Sequence, residues 1–282
     1  MVGLESSVLA QGLPAPHNAT AASLMQSAIR DAGAVPAITA VVRGQVMAGL
    51  APDDLARFLG ADGIGKASAR DLSVAVAGGV DAATTVSASL LVCWHAGIPV
   101  FATGGIGGVH RAPPFDESAD LTELARTPMI VVCAGAKSVL DLPATVERLE
   151  TLGITVVGYR TSEFPGFHYA STGIPVTSRQ DSVAGIVATY RAQRTLNHAG
   201  AVLVVQPPPD TLDRGVVEQA IETALARARE ARIRGAATTP WLLSELARVT
   251  DGGTIRVNLA LLEANARLAA DLAVELARGE DS

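Results

Sequence analysis

Lysine is scarce in this sequence: among 282 residues there are two lysines, Lys66 and Lys137, against 20 arginines. Lysine is normally one of the commonest residues. Arginine can replace it at most solvated positions, but not where an amine must lose its proton and attack a carbonyl. The two lysines are therefore candidates for chemistry. The alternative is compositional, since a coding bias against lysine in an Ala- and Arg-rich chain would leave two by chance.

Aromatic residues (4%) and charged residues (18%) are also few, whereas apolar residues make up 49% of the chain. We therefore expect a core of Ala, Val, Leu and Ile, and the low charge hints at surface covered in an oligomer. The net charge of −6 without a basic cluster argues against a nucleic-acid polymer as partner. A small phosphorylated ligand remains compatible, because a few Arg, Lys or backbone N–H groups suffice to bind it.

No apolar run is long enough to cross a bilayer, and the most apolar stretch, residues 88–102, is interrupted by His95 and Pro99. The first residues lack the basic and then apolar pattern of a signal peptide. Cys93 and Cys133 both lie in apolar segments and do not match a zinc-type spacing. These features predict a cytoplasmic protein with reduced cysteines and no membrane partner.

Lys137 follows an unbroken apolar run, Met129 to Cys133, which predicts a buried strand of a parallel sheet. A turn of small residues comes next, and then a helical pattern over Ser138 to Leu152. Ligands of open α/β sheets bind beyond the carboxyl ends of strands, and apolar walls there disfavour the charged form of an amine. Lys137 is thus a candidate nucleophile. The alternative is a lysine that caps the strand end with its amine in water.

Strand and helix patterns alternate along most of the chain, which predicts an α/β fold with a mainly parallel sheet and helices on both faces. A hairpin around Gly44 makes the sheet mixed. We find no low-complexity linker or repeat and interpret prolines 207–209 as a rigid turn, so a single domain is expected over 1–282. Besides those named above, the predicted strands are Val2–Leu4, Ala37–Arg43, Gln45–Leu50, Leu72–Ala77, Pro99–Ala102, Ile154–Tyr159 and Ala201–Val205, and the predicted helices are Ala21–Ala32, Pro52–Leu59, Ala83–Ala96, Leu121–Arg126, Ser182–Leu196, Val216–Arg232, Trp241–Val249 and Val257–Leu276.

A glycine-rich segment, Thr103 to Arg111, follows the strand that is predicted to end at Ala102. Glycines let backbone N–H groups approach a phosphate or another ligand closely. The segment matches neither the dinucleotide-binding fingerprint nor the P-loop. By itself the segment therefore indicates that the backbone approaches a phosphate or another ligand closely, and it does not identify the ligand.

An acidic segment follows, in which Asp116, Glu117 and Asp120 put three carboxylates within five residues. Such a group can hold a divalent cation. It can equally form a helix N-terminus, with Ser118 or Asp116 as the cap and Asp120 in the first turn. The spacing favours neither interpretation.

Taken together, ten segments in order over nearly the whole chain resemble the pseudouridine-5′-phosphate glycosidases, also called the indigoidine synthase A-like family. This ordered set is far more specific than any single glycine motif. The segments are Leu4–Ser7, Gly12–Asn18, Gly33–Ala37, Lys66–Leu72, Ala83–Val86, Val100–Arg111, Ser118–Leu121, Val132–Leu142, Glu163–Pro165 and Asn258–Leu262.

The resemblance implies a reversible reaction at C1′ of ribose 5-phosphate that breaks or makes a carbon–carbon bond to C5 of uracil. It implies that Lys137 forms an imine with the opened sugar, that Glu5 donates the proton, and that Asp116 binds one manganese ion, Mn²⁺. It also implies a three-layer α/β/α fold and a homotrimer. The positions that the resemblance assigns to substrate binding are Lys66, Val86, Ser118, Ala119, Asp120 and Asn258.

The chemistry of a carbon–carbon glycosidic bond agrees with these roles. The bond has no leaving oxygen for an acid to protonate, so the paired-carboxylate route of ordinary glycosidases fails. An electron sink at C1′ is needed instead, and a protonated lysine imine supplies one. The departing carbon or the ring oxygen also needs a proton donor, which suits a buried glutamic acid.

Departures from the family pattern keep the acceptor open. Gln11 stands where the family usually has histidine, Glu117 replaces an apolar residue, and the loop between His110 and Asp116 is short. The acceptor is therefore either uracil or an aromatic polyketide, as in alnumycin-type C-ribosylation. A catalytically inactive binding protein and an unrelated aldolase are further alternatives. Both lysines and Glu5 argue against the first, and the ordered segments argue against the second.

Overall fold

The computed structural model describes residues 1–60, 63–111, 116–233 and 238–278. Its strands are β1 (Val2–Leu4), β2 (Pro36–Val42), β3 (Gln45–Ala48), β4 (Gly65–Ala67), β5 (Ala82–Thr84), β6 (Val100–Ala102), β7 (Ile130–Cys133), β8 (Thr155–Tyr159), β9 (Ser178–Gln180) and β10 (Val202–Val205). Its α-helices are α1 (His17–Asp31), α2 (Pro52–Gly60), α3 (Leu72–Ala77), α4 (Val86–His95), α5 (Ala119–Arg126), α6 (Leu142–Thr151), α7 (Val183–Thr195), α8 (Arg214–Glu230), α9 (Thr238–Val249) and α10 (Gly253–Arg278).

The strands form one mixed sheet in the order β4-β5-β2-β1-β6-β7-β10-β8-β9, and β3 pairs with β2. The run from β2 to β9 is parallel throughout. The hairpin β2–β3 and the pair β2–β5 are antiparallel. The predicted mainly parallel sheet with one hairpin is therefore confirmed.

Helices cover both faces of the sheet, so the fold is the three-layer α/β/α arrangement that the resemblance implied. One core joins α1, α7 and α10 to alternate strand residues such as Val202 and Val204. The other joins α4, α5, α6, α8 and α9 to the intervening residues, such as Leu203 and Val205. Successive strand residues point to opposite faces, which is why an almost wholly apolar strand serves two cores.

The strand predicted over Leu72–Ala77 is wrong, because this segment is helix α3. Ser68 and Asp71 form a capping box, in which the Asp71 carboxylate accepts from the Ser68 N–H at 3.0 Å. This cap starts a 3₁₀ turn that runs into α3. Leu72 and Ala75 are buried while Val74 is 71% exposed, a helical spacing that the short apolar run concealed.

Two predicted helices begin later than expected. The helix predicted from Ser138 starts at Leu142, because the Asp141 side chain caps it by accepting from the Ala144 N–H at 3.0 Å. The helix predicted from Ala83 starts at Val86, because residues 82–84 form β5. Strands β4 and β9 escaped prediction, since each has three residues and no apolar run.

The sequence predicts that no segment crosses a membrane and that both cysteines are reduced core residues. None of the helices within the described ranges is long and apolar enough to cross a membrane. Cys93 and Cys133 are free and buried, and burial raises the pKa of both thiols to about 12. The two thiols are therefore protonated core side chains.

Candidate functional site

A cavity opens at the carboxyl ends of β1, β6 and β7, which run parallel and side by side. Residues from the start of α4, from α9 and from α10 complete its walls. This position agrees with the general rule for ligand sites in parallel sheets. Eight of the nine predicted site residues line the cavity, namely Glu5, Lys66, Val86, Ser118, Ala119, Asp120, Lys137 and Asn258.

Glu5 directly follows β1 and is 6% exposed. Its Oε1 accepts a hydrogen bond from the Thr103 hydroxyl at 2.5 Å, and its Oε2 accepts one from Ser7 at 2.5 Å. A buried carboxyl group needs such partners to offset its desolvation. The two hydroxyls fix the orientation of the Glu5 carboxyl at the cavity wall, where it can exchange a proton with a bound molecule.

Behind Glu5 lies a buried hydroxyl cluster of Ser6, Thr39, Thr84 and Ser89, which the sequence analysis missed. The Thr84 N–H donates to Ser6 Oγ at 2.9 Å, and Thr84 Oγ1 lies 2.8 Å from Thr39 Oγ1 and 3.0 Å from Ser89 Oγ. The cluster joins the end of β1 to β2, β5 and α4. It thereby holds the segment that carries Glu5. The cluster could not be predicted from the sequence, because single hydroxyl residues at strand ends form no recognisable pattern.

Lys137 lies half-buried in the loop between β7 and α6. Its backbone N–H donates to Ile106 O at 3.1 Å, which fixes the loop against the glycine-rich segment. Gly135 turns the chain with φ of +86°, and a Cβ atom there would lie 2.1 Å from Pro165 O. Only glycine fits this turn. The Lys137 amine makes no hydrogen bond or ion pair with the described residues.

Lys66 is the middle residue of β4 and reaches the same cavity. Lys66 is exposed as a whole residue, although protein atoms surround much of its amine. This burial lowers the pKa of Lys66, and the positive charge of Lys137 lowers it further, whereas Glu5 and Asp120 act in the opposite direction. Desolvation therefore disfavours the charged form of the Lys66 amine.

Asp120 ties two walls of the cavity together. Its Oδ2 accepts from the Gly107 N–H at 2.8 Å and its Oδ1 from the Ser87 N–H at 2.9 Å, near the start of α4. Ser118 is the N-cap of α5 and accepts from the Asp120 N–H at 3.2 Å. Ser118 and Asp120 therefore form a helix N-terminus, which was one of the two interpretations of the acidic segment.

The glycine-rich segment is needed for close packing. A Cβ atom on Gly107 would lie 2.2 Å from Ser118 Oγ, and one on Gly108 would lie 2.4 Å from Thr145 Oγ1. Neither position accepts a larger residue without displacement of these neighbours. The glycines therefore bring the backbone against Ser118 and Asp120 at the cavity wall.

Asn258 of α10 and Gln11, in the π-helical turn Val8–Gly12, are two further polar residues of the cavity wall. The amide oxygen of each is buried and has no hydrogen-bond partner among the described residues. Gln11 Nε2 donates to Ile64 O at 3.0 Å, which defines how this amide is turned. Unpaired buried polar atoms are uncommon. Two such oxygens beside one cavity are acceptors for which the described residues supply no hydrogen-bond donor, and a bound ligand could supply one.

Asp116 is the predicted site residue that does not line the cavity. Its side chain is 41% exposed, and its Oδ1 lies 3.3 Å from Nδ1 of His110, whose ring does line the cavity. Within the described ranges, no group of three or more His, Cys, Asp or Glu side chains is arranged to hold a metal ion. Residues 112–115 of this loop lie outside those ranges. A half-exposed carboxylate suits Mn²⁺ as a single ligand among waters.

Apolar residues that the sequence analysis did not assign to the site form another part of the wall, among them Phe167, Leu140 and Leu243. Phe167 has a φ of +66°, which is rare for a bulky side chain and typical of functional sites. Its neighbour His168 is 1% exposed, and its Nδ1 lies 2.9 Å from Ser138 Oγ, beside Lys137. Burial lowers the pKa of His168 to about 3, so its ring is neutral.

Comparison with known sequences gives close relatives over nearly the full chain. Residues 1–275 match the family described as "Indigoidine synthase A like protein". A pseudouridine-5′-phosphate glycosidase of Gemmatimonas aurantiaca is 57% identical over 281 residues, with 99% of this chain and 92% of the relative covered. One of Herpetosiphon aurantiacus is 49% identical, with 98% and 92% covered.

Two solved structures share the fold. The prealnumycin C-glycosynthase AlnA, in complex with ribulose 5-phosphate, has a TM-score of 0.91 and 38% identity, with 100% of this chain and 93% of that chain covered. An indigoidine synthase A-like protein of Thermotoga maritima has a TM-score of 0.91 and 35% identity, with 98% and 92% covered. The similarity therefore extends over the whole α/β/α sandwich.

Proposed function

Because the chain belongs to the indigoidine synthase A-like protein family, we propose that this enzyme reversibly cleaves the carbon–carbon bond between C1′ of ribose 5-phosphate and C5 of uracil. In cleavage, pseudouridine 5′-phosphate and water give uracil and ribose 5-phosphate. The observation that carries the proposal is that the Lys137 amine, which has no partner among the described residues, and a buried carboxyl group, Glu5, open into one cavity. The names of the relatives support the choice of substrate.

The proposed chemistry uses Lys137 as nucleophile. Its free amine bonds to C1′ while the bond from C1′ to the ring oxygen breaks, and the ring oxygen takes up a proton. The bonded nitrogen then gives up a proton, and the lone pair that remains forms the C1′=N bond as the C1′–C5 bond breaks. Uracil takes the electron pair and a proton at C5. Water hydrolyses the imine and releases ribose 5-phosphate and the amine.

Glu5 is the proposed proton donor, because a proton must reach either the departing carbon or the ring oxygen. Its orientation by Thr103 and Ser7 means that little rearrangement is required when the substrate binds. Lys66 and Asn258, together with the segment Ser118 to Asp120 and Val86, are the proposed substrate contacts. The N-terminus of α4 at the cavity wall suits an anionic phosphate.

Replacement of the nucleophile tests this proposal. Lys137→Arg keeps the charge but removes the amine, so we expect turnover to fall at least ~1,000-fold. Borohydride reduction in the presence of ribose 5-phosphate should attach the sugar to Lys137 of the wild type, as read by peptide mass mapping. Lys66→Arg is the matched control for the adduct alone, since it preserves the Lys137 amine that the borohydride experiment traps. An adduct on Lys66 alone, or full turnover by Lys137→Arg, would refute the role of Lys137.

A second candidate keeps the sugar chemistry and changes the acceptor to an aromatic polyketide. The similarity to AlnA and the apolar wall at Phe167, Leu140 and Leu243 favour it. Incubation of the enzyme with ribose 5-phosphate and either uracil or a naphthoquinone separates the two candidates. Formation of pseudouridine 5′-phosphate supports the first, and a C-ribosylated quinone without it supports the second.

Three further expectations remain proposals. Asp116 would hold Mn²⁺ through one carboxylate oxygen and water, and the ion would contribute positive charge near the acidic segment. The protein would form a homotrimer and act in the cytoplasm. Metal analysis and light scattering of the purified protein, and fractionation of cells that produce it, test these three proposals in turn.

A further inference from the structure

Lys66 and Lys137 are the two lysines of the chain, and their amines share one cavity. Neither amine donates a hydrogen bond or forms an ion pair to any residue that the structure describes. Lys137 is half-buried and Lys66 is exposed at the cavity, and charged groups that lose part of their water are normally paired. Two cations in one cavity without partners among the described residues repel each other, and loss of one proton relieves this repulsion.

The acidic groups that face the lysines are already bound by other donors. Both oxygens of Glu5 accept from hydroxyls, and both oxygens of Asp120 accept from backbone N–H groups. His110 also lines the cavity, but its Nδ1 faces Asp116. These carboxylates favour the charged form of Lys66 at a distance, without a direct contact that would hold a proton on it.

The identity of residue 66 adds an independent argument. The chain uses arginine at 20 positions and keeps lysine at two. If residue 66 had to supply positive charge alone, arginine would serve, because its guanidinium is always charged. Lysine differs in that it can release its proton and take it up again. Burial and the charge of Lys137 both lower the pKa of Lys66, which favours this exchange nearer to neutral pH.

We propose that Lys66 is a general base and acid that exchanges protons with the nitrogen of Lys137. The inference rests on the proposed function. Lys66 is the amine of the pair that is neutral at rest, and it takes one proton from the Lys137 ammonium, so that the Lys137 nitrogen bonds to C1′ as a free amine. The Lys66 ammonium then returns this proton to the oxygen that leaves C1′. No proton is gained or lost overall, and the Lys66 amine is regenerated.

The test compares variants that separate charge from proton exchange. Lys66→Arg keeps the cation and loses the exchange, so we expect kcat to fall about 100-fold while KM stays within about threefold. In the wild type kcat should rise with pH as Lys66 loses its proton, and the midpoint of this rise should change in Lys66→Arg, where Lys137 must lose its proton to water instead. Arg70→Gln, whose side chain is 88% exposed, is the control for removal of a nearby cation.

Chemical rescue provides a second measurement that does not depend on an arginine fitting the site. Lys66→Ala opens space for a small primary amine, so added ethylamine should raise the kcat of this variant at least about tenfold. Trimethylamine, a bulkier tertiary amine, should not raise it. A role in binding alone predicts a higher KM with unchanged kcat, and that result would overturn the inference. So would Lys66→Arg with wild-type kcat, or no rescue of Lys66→Ala by ethylamine.

The outcomes distinguish this inference from the proposed function. If the wild type neither turns over substrate nor forms a borohydride-reduced adduct at Lys137, the proposed function fails. If it does both and the Lys66 variants behave as binding variants, the inference alone fails. The Lys137 adduct of each folded variant, collected at high pH, shows that the cavity is intact.

Discussion

At the scale of single residues, His168 links the site to the pH dependence of stability. The buried ring is neutral, with its pKa lowered to about 3, whereas an imidazole in the unfolded chain has a pKa of about 6.5. Below about 6.5 the unfolded chain therefore binds a proton that the folded protein does not. The contribution of His168 to stability is complete above about 6.5 and is lost progressively as the pH falls towards about 3.

We expect His168 to remove about 2 kcal/mol of stability between pH 7 and pH 5. His168→Asn should lower stability at pH 7 but show a correspondingly weaker pH dependence. Urea unfolding at the two pH values measures the difference. His95→Asn, which replaces an exposed histidine, is the control and should leave the pH dependence unchanged. An equally steep pH dependence in His168→Asn would mean that other groups cause it.

At the scale of elements, Asp120 connects the glycine-rich segment to the start of α4 through two hydrogen bonds to backbone N–H groups. Asp120→Asn replaces one carboxylate oxygen by an NH₂ group that cannot accept. One buried N–H then loses its partner, and we expect a loss of about 1–3 kcal/mol in the free energy of unfolding. Denaturant unfolding measures this loss.

The control for Asp120→Asn lies in the same segment. Glu117→Gln removes an exposed ion pair with Arg148, which stabilises the protein by about 0–1 kcal/mol. Its effect on stability should therefore be smaller than that of Asp120→Asn. Equal effects of the two substitutions would indicate that Asp120 does not hold these elements together.

The elements also explain how much could be predicted from the sequence. The strand β7 and the turn before Lys137 were predictable, because an unbroken apolar run indicates a buried strand and a run of small residues indicates a turn. The segment Leu72–Ala77 was not, since its helical cap depends on the side chains of Ser68 and Asp71. The strand β4, which carries Lys66, has no apolar run and exists because it pairs with β5.

The candidate site was predicted unevenly for a similar reason. Charged residues with an evident chemical role, such as Lys137, could be identified as candidates from the sequence alone. Phe167 and the hydroxyl cluster lie at the cavity because distant segments converge there, and local patterns do not encode such convergence. Asp116 was chosen by resemblance, and its position outside the cavity depends on the local course of the loop beside His110.

At the scale of the whole molecule, one core joins residues from Val2 to Leu276, and α1 packs along α10. The start and the end of the chain thus stabilise each other through a common sheet. We expect a single cooperative unfolding transition over the predicted domain 1–282. Fluorescence of Trp94 and Trp241 and far-UV circular dichroism should give the same urea midpoint. Two separate midpoints would indicate two folding units.

The position of both lysines in the cavity has a practical consequence. Reagents that react with primary amines, such as those used for coupling to sensor surfaces or for cross-linking of subunits, find two lysine side chains among these 282 residues. Attachment through a lysine would block the pocket, and failure to cross-link would say nothing about subunit contacts. Carboxyl-directed reagents, for which the chain offers 28 acidic side chains, are therefore the appropriate choice.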